Sequence, residues 1–175
     1  MKKALLILTA AFYSITLFAQ QDKSKRASPP AQATATLKNG ATVTIDYNQP
    51  SVKGRTIGKE IAPYGQVWRL GANEPTTITV TKDITINGKA LPSGKYSMFA
   101  IPNADEWTLI INSEIPRWGV NRDGSTTQNP EKDVLRLNVK PVKAPAFTEL
   151  MTFNVDDKGK LSFMWGDTAL DLWVK

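Results

Sequence analysis

Apolar and polar residues alternate in short segments along most of this chain. In residues 41–47, for example, Val43, Ile45 and Tyr47 alternate with two threonines and an aspartate. This two-residue period is typical of a β-strand with one buried face. The same pattern predicts about ten short strands. The segments assigned in this way are residues 34–37, 41–47, 76–81, 84–86, 89–91, 95–101, 106–111, 133–140, 147–155, 161–165 and 170–174.

Turn signals separate these segments. Asn39-Gly40 and Asn87-Gly88 each fall between two predicted strands, and both residue types tolerate the positive φ that the tightest β-hairpin turns require. A further turn is predicted at residues 91–94, which include a proline and end in glycine. Outside the N-terminal run, no long segment shows a helical period. The pattern therefore predicts an all-β fold, an antiparallel β-sandwich or a jelly-roll-like arrangement, in a single domain.

The first residues have the composition of an export signal. Lys2 and Lys3 precede an apolar run over residues 4–18, and Ala19 is followed by polar sequence. We therefore predict a secretory signal peptide over residues 1–19. The alternative is a retained anchor, but the apolar run is shorter than a bilayer span requires.

The remaining chain is predicted to form a leader and one domain. Residues 20–32 are polar and contain two prolines, and we expect them to be a disordered leader. Residues 33–175 are expected to form the β-sandwich domain, since a chain of this length supports one sizeable core. The mature protein is expected to be periplasmic or secreted, without a membrane span.

The composition removes several kinds of chemistry. The chain has no His and no Cys, so it lacks the commonest general base, the commonest transition-metal ligands and any disulfide. We therefore expect no metal and no cofactor. The net charge of +6 is spread along the chain rather than gathered in one basic run, so no nucleic-acid partner is expected.

Two segments break the alternating pattern. Residues 50–76 combine Tyr64 and Trp68 with cations, carboxylates and glycines, between predicted strands. Residues 112–132 form a connection that is longer than usual for a compact domain, and they include Trp118. Long connections of this kind often carry function.

Arg69 and Glu74 are the charged pair of greatest interest. Trp68 and Arg69 are predicted to end a strand, and residues 71–73 to form a turn. The reversal would bring the Arg69 guanidinium to the Glu74 carboxylate, with the Asn73 amide beside them. Such a group either binds a sugar or a carboxylate through bidentate hydrogen bonds, or it is an ion pair that only fixes the loop.

Aromatic residues add a second candidate chemistry, because a flat ring packs on the apolar face of a sugar. Four of the five tryptophans lie on strand patterns, where core packing explains them without a ligand. Trp118 alone falls in the long loop. The candidate ligand-binding residues are Arg55, Tyr64, Trp68, Arg69, Asn73, Glu74 and Trp118.

Other motifs leave alternatives open. The turn at residues 53–55 either holds a phosphate or sulfate or is a solvated basic turn, and it lacks the spacing of a phosphate-binding loop.

Residues 121–124 have oxygen ligands but no later bidentate glutamate, so calcium binding is undetermined. Carboxylate-pair hydrolysis stays open if two of four acidic side chains meet. These are Asp46, Glu60, Glu74 and Asp133.

Six short motifs along the chain resemble those of a known family. They occupy residues 47–55, 63–74, 91–96, 106–107, 118–119 and 133–136. Their sequence resembles the bacterial secreted family of unknown function DUF2911, over nearly the whole mature chain. Asn48-Gln49 replaces the Ser-Arg usual in the family, which removes a cation, and residues 120–130 lack the aromatics of relatives. The resemblance implies a fold and a compartment but supplies no mechanism.

The sequence thus favours a secreted or periplasmic β-sandwich that binds a small polar ligand or a glycan without catalysis. The nucleophile motifs of hydrolases are absent from the sequence, so we do not expect catalysis, although the hydrolase alternative above stays open. An envelope protein-protein interaction domain without a small ligand is the other alternative.

Overall fold

The computed structural model of the protein describes residues 22–175, and the predicted signal peptide, residues 1–19, lies outside the described residues. The described chain contains ten β-strands and two single-turn 3-10 helices. The strands are β1 (Pro30–Thr36), β2 (Thr42–Asn48), β3 (Thr76–Val80), β4 (Ile84–Ile86), β5 (Lys89–Leu91), β6 (Gly94–Ile101), β7 (Trp107–Asn112), β8 (Asp133–Val139), β9 (Val142–Val155) and β10 (Lys160–Trp173). The 3-10 helices cover Lys23–Lys25 and Pro130–Lys132. Within residues 22–175, no helix is long and apolar enough to cross a membrane.

Six strands form the main sheet, in the order β1-β2-β3-β6-β7-β8, and every neighbouring pair is antiparallel. The register aligns apolar side chains across the strands. Ala33 lies opposite Ile45, Ile45 opposite Ile78, and Ile78 opposite Tyr96. All four side chains are buried, because the two-residue period of each strand places them on the same face.

The second layer consists of two hairpins. The strands β9 and β10 pair along most of their length, with register shifts on either side of Gly166. The strand β10 bends there, since Ser162 Oγ donates to Asp171 Oδ1 further along the same strand at 2.7 Å. The smaller hairpin, β4-β5, joins the end of β10 through the bridge between Ile86 and Val174.

The core between the two layers is rich in aromatic rings. Trp107 from the main sheet and Phe163 from β10 are both about 1% exposed, with ring centroids 5.6 Å apart. Trp165 is equally buried. Because these rings come from both layers, the aromatic cluster holds the sandwich together.

The sequence-based prediction of the fold is confirmed. The antiparallel all-β domain is present, and both Asn-Gly dipeptides form hairpin turns with positive φ at Gly40 and Gly88. Alternating apolar residues face inward as predicted, since Val43, Ile45 and Tyr47 are all buried.

Several strand boundaries differ from the prediction. The strand β1 begins at Pro30, so ordered structure starts before residue 33. The predicted disordered leader, residues 20–32, instead contributes a strand start and side-chain contacts to Glu74 over its described part. The separately predicted strands 161–165 and 170–174 are one continuous, bent strand, because bulges around Gly166 keep it paired with β9.

We expect Phe163→Ala to lower the free energy of unfolding by about 3–5 kcal/mol, because it leaves a cavity in the aromatic core. Phe147→Ala is the matched control, since Phe147 lies on the same hairpin and is 57% exposed; its effect should be about 0.5 kcal/mol or less. Urea denaturation measures both. Equal losses for the two variants would contradict the placement of the core.

Candidate functional site

The structure separates the seven candidate residues. Trp68 is partly buried and packs against the core, where its ring stacks on Trp165 at a centroid distance of 5.2 Å and an interplanar angle of 7°. Its backbone pairs with Ala100 through two hydrogen bonds of 2.7 and 2.9 Å. Trp68 therefore extends the main sheet beside β6 and has a structural role.

Arg55 also has partners within the protein. Its guanidinium donates to the carbonyl oxygens of Ser51 at 2.6 Å and Val52 at 3.1 Å. In the same turn, the backbone N–H of Lys53 donates to Glu149 Oε1 at 2.8 Å, and Ser51 Oγ donates to the same oxygen. The turn considered for a phosphate or sulfate therefore binds the carboxylate of β9.

Tyr64 lies in the irregular segment and is exposed. Its ring packs directly over Gly58, where an added Cβ would be 2.3 Å from two ring atoms. Gly58 has a φ of 88°, which only glycine adopts without strain. The side chain thus fixes a local turn, and its ring contacts none of the other candidates in the described contacts.

The expected ion pair between Arg69 and Glu74 is not formed. Glu74 instead accepts from Arg26 Nη1 at 2.7 and 3.0 Å, from Lys23 Nζ at 3.0 Å and from Asn48 Nδ2 at 3.3 Å. The N-terminal segment supplies both cations. The sequence-based expectation is wrong because it rested on the turn at residues 71–73 alone, whereas the N-terminal segment, predicted to be disordered, supplies the partners.

The contacts of Glu74 change its ionisation. Burial acts to raise the pKa of its carboxyl, but hydrogen bonds from Lys23 and Arg26 and the charge of Arg26 lower it overall, to about 2. The carboxylate is therefore ionised at neutral pH and fully engaged with its cations.

Arg69 is left without a carboxylate partner. Its Nε–H donates to the carbonyl oxygen of Gly71 at 3.3 Å, and within residues 22–175 it forms no salt bridge. Burial lowers the pKa of the guanidinium, which reflects the cost of removing a cation from water. Arg69 is thus a half-buried cation with most of its donors unused.

Trp118 precedes a residue that contacts Arg69. Gly119 packs against the Arg69 side chain, and an added Cβ would be 2.6 Å from Arg69 Cδ. The backbone N–H of Gly119 donates to the carbonyl oxygen of Asn73 at 3.2 Å. Trp118 itself is 43% exposed. We call the group formed by Arg69, Asn73 and Trp118 the Arg69 surface.

A buried carboxylate anchors the long loop that carries Trp118. The carboxylate of Asp133, at the start of β8, accepts hydrogen bonds from Asn112 Nδ2, from Gln128 Nε2 and from the Arg136 guanidinium. Gln128 Nε2 contacts both carboxylate oxygens, and all the distances are 2.7 to 3.0 Å. At the other end of the loop, Ser97 Oγ donates to the Glu114 carbonyl oxygen at 2.6 Å. These contacts fix the two ends of the loop, and Gly119 between them packs against Arg69.

Asn73 links the Arg69 surface to the N-terminal segment. Its Nδ2 donates to the carbonyl oxygen of Ser28 at 3.2 Å, and it has a φ of 59°, a left-handed conformation that asparagine tolerates. Sequence reasoning missed Arg26, Ser28 and Gly119, which complete this region. The basic run before the first strand could have indicated Arg26 as a partner for a carboxylate. Nothing in the sequence indicates the contact between Gly119 and Arg69.

The carboxylates considered for hydrolysis have separate partners. Glu60 accepts from the backbone N–H of Thr56 at 2.9 Å, and Asp133 belongs to the loop network. Asp46 and Glu74 line one cavity of about 200 Å³. A carboxylic acid that protonates a leaving group needs a raised pKa, whereas the pKa of Glu74 is lowered.

Calcium binding by residues 121–124 would require free oxygen ligands. Asp123 Oδ1 accepts from the backbone and hydroxyl of Ser125 at 2.9 and 2.6 Å, so this loop is closed by its own hydrogen bonds. Among residues 22–175, no group of three or more acidic side chains is arranged to hold a metal ion.

Comparison with known proteins gives one result. A family model described as "Protein of unknown function (DUF2911)" matches residues 28–174, which is most of the chain. No curated protein and no solved structure matches.

We expect Glu74→Gln to destabilise the protein in a pH-dependent way. The folded pKa of Glu74, about 2, lies below the value of about 4.3 for an unfolded glutamate. Its ionised form therefore stabilises the folded state above about pH 4.3, and that stabilisation is lost as the pH falls toward 2. Urea denaturation should show the largest difference from wild type at neutral pH and a shrinking difference under acid conditions.

The matched control is Arg26→Ala, alone and combined with Glu74→Gln. The pH-dependent difference should shrink in the Arg26→Ala background but not vanish, because Arg26 no longer contacts the carboxylate while Lys23 still does. A difference that is constant with pH would show that the Glu74 carboxylate does not contribute through its charge.

Proposed function

The chain belongs to the DUF2911 family, and we propose that it is an exported, non-catalytic module that binds an anionic sugar at the Arg69 surface. The observation that carries the proposal is the half-buried Arg69, which has no carboxylate partner within residues 22–175. The hydrolase alternative is disfavoured because Glu74 is paired with Lys23 and Arg26, and its lowered pKa does not suit the proton-donating acid.

The charge of Arg69 supports an anionic ligand. A guanidinium presents five donors in a planar fork, which fits a carboxylate or a sulfate through two parallel hydrogen bonds. Only one donor of Arg69 has a partner in the described contacts. Its partial burial strengthens the attraction to an incoming anion, since the effective dielectric constant is lower than in bulk water.

Trp118 supports a sugar ring as the carrier of that anion. The indole is exposed on a loop that the Asp133 network fixes in place, so it offers a flat apolar face at little cost in conformational entropy. The Asn73 side chain already donates to Ser28, which leaves its Oδ1 as an acceptor for a hydroxyl group.

We expect Arg69→Ala to weaken the binding of glucuronate at least about tenfold, because a charge-assisted hydrogen-bonded contact contributes about 1.5–3 kcal/mol. Arg69→Lys keeps the charge but loses the planar fork, so its loss should be intermediate. Trp118→Ala should also weaken binding. Isothermal titration calorimetry with glucuronate, and with glucose as the neutral comparison, measures each dissociation constant.

Arg122→Ala is the control for charge, because Arg122 is an exposed cation on the same loop. It should bind glucuronate as wild type does. Equal weakening in Arg122→Ala and Arg69→Ala would mean that only the net charge matters. Equal affinity for glucose and glucuronate would contradict an anionic ligand, and no binding of either would favour the protein-interaction alternative.

Export is proposed from the N-terminal pattern of Lys2, Lys3 and the apolar run over residues 4–18. We expect the full chain, expressed in a Gram-negative host, to be recovered from the periplasm or the medium with Gln20 as its first residue. Mass spectrometry of the intact protein measures this. Ala19→Arg should block cleavage, and recovery of the uncleaved chain from the cytoplasm for wild type would contradict export.

A further inference from the structure

We propose a second binding site for an anionic sugar residue, in the trough around Trp173 at the end of the second layer. The site is independent of the Arg69 surface. It combines an exposed aromatic ring, two cavities with shared lining residues, and three lysines that form no salt bridge within residues 22–175.

Trp173 is presented outward by the strand that carries it. The neighbouring residues Leu172 and Val174 are buried, whereas Trp173 is 50% exposed. Its backbone is fixed on the β4-β5 turn, because its N–H donates to Asn87 Oδ1 at 2.8 Å and its carbonyl oxygen accepts from the Asn87 N–H at 2.8 Å. The backbone of Trp173 is therefore fixed beside the small hairpin, and half of its surface is accessible to a ligand.

Two cavities that share lining residues lie at this end of the second layer, and Trp173 lines the larger one. The larger, about 530 Å³, is lined by Trp173, Lys158 and Lys175 together with Thr85, Asn87 and Gly88 of the small hairpin. The smaller, about 300 Å³, shares both lysines and extends to the β1-β2 turn. Each is of the size that holds a small ligand. Since the two share a wall of lysine side chains, an acidic group bound there would lie beside a ring stacked on Trp173.

The charges in the trough favour an anion. Lys38, Lys158 and Lys175 line it, against the single acidic side chain of Asp157. Within residues 22–175, none of the three lysines forms a salt bridge. Lysine ammonium groups act as point charges toward carboxylate, sulfate or phosphate oxygens.

The remaining polar groups suit hydroxyls. Asn39, Asn87 and Thr85 line the two cavities and offer amide and hydroxyl groups. A ring with an apolar face, several hydroxyls and one acidic substituent satisfies the indole, the amides and the lysines together. That description fits a sugar acid, a sugar sulfate or a sugar phosphate.

The strand register separates this site from the Arg69 surface. The β1-β2 turn lies at the end of the main sheet where Val43, Val80 and Gly94 are aligned. The Arg69 surface lies at the opposite end, where the segment of Trp68 pairs with Ala100. One chain therefore offers two aromatic and cationic sites that cannot share a single small ligand.

The test follows the indole N–H signals of the mature protein by two-dimensional NMR during titration, with each signal assigned from single Trp→Phe variants. The probes are glucuronate, glucose 6-sulfate, glucose 6-phosphate, glucose and adenosine monophosphate. We expect the Trp173 signal to shift saturably with at least one of the three anionic sugars, and those three arms identify the acidic group. Glucose should bind at least about tenfold more weakly, so it should shift the Trp173 signal less at the same concentration.

Lys158→Ala should raise the dissociation constant at the Trp173 signal about tenfold or more, whereas Lys140→Ala, an exposed lysine at the other end of the main sheet, should leave it unchanged. Arg69→Ala should also leave it unchanged, which separates this site from the proposed function. The proposal is overturned if no anionic sugar shifts the Trp173 signal, if glucose shifts it equally, if adenosine monophosphate alone shifts it, or if Lys140→Ala weakens binding as much as Lys158→Ala.

Discussion

The stacking of Trp68 on Trp165 is the contact on which the site depends. It joins the irregular segment between β2 and β3 to the bent strand β10, with ring centroids 5.2 Å apart. Trp68 also meets Trp107 and Phe163 edge to face, so one ring contacts both layers. Since successive side chains of an extended segment point to opposite faces, burying Trp68 directs Arg69 away from the core and toward the long loop.

Two carboxylates of the protein are bound by its own cations and backbone, and this shows which other cations have no carboxylate partner. Glu149 is held by the turn at Ser51 and Lys53, and Glu74 is held by Lys23 and Arg26. Both arrangements are anion sites that the chain fills by itself. Arg69 has no such partner in the described part of the chain, and neither do the lysines around Trp173. The proposed ligands follow from this difference rather than from the number of basic residues.

The fold could be predicted from the sequence because its determinants are local. Alternation identified the inward residues of β2 and β7, and the Asn-Gly dipeptides located two hairpins. The site could be predicted only in part. Gly119, next to the candidate Trp118, contacts the candidates Arg69 and Asn73, but the pairing of Glu74 with Arg26 joins residues far apart in sequence. Nothing local distinguishes Arg26 from Arg69 as the partner of Glu74, and the approach of Gly119 to Arg69 depends on how the whole loop folds.

The central claim is that Arg69 is an unfilled anion site, and the most direct measurement is the NMR signal of its Nε–H group. Titration with glucuronate should shift this signal saturably, and titration with glucose should not, because only the acid offers two oxygens to the guanidinium. A signal that stays unchanged with glucuronate, while other signals of the protein shift, would contradict the account and place the ligand elsewhere.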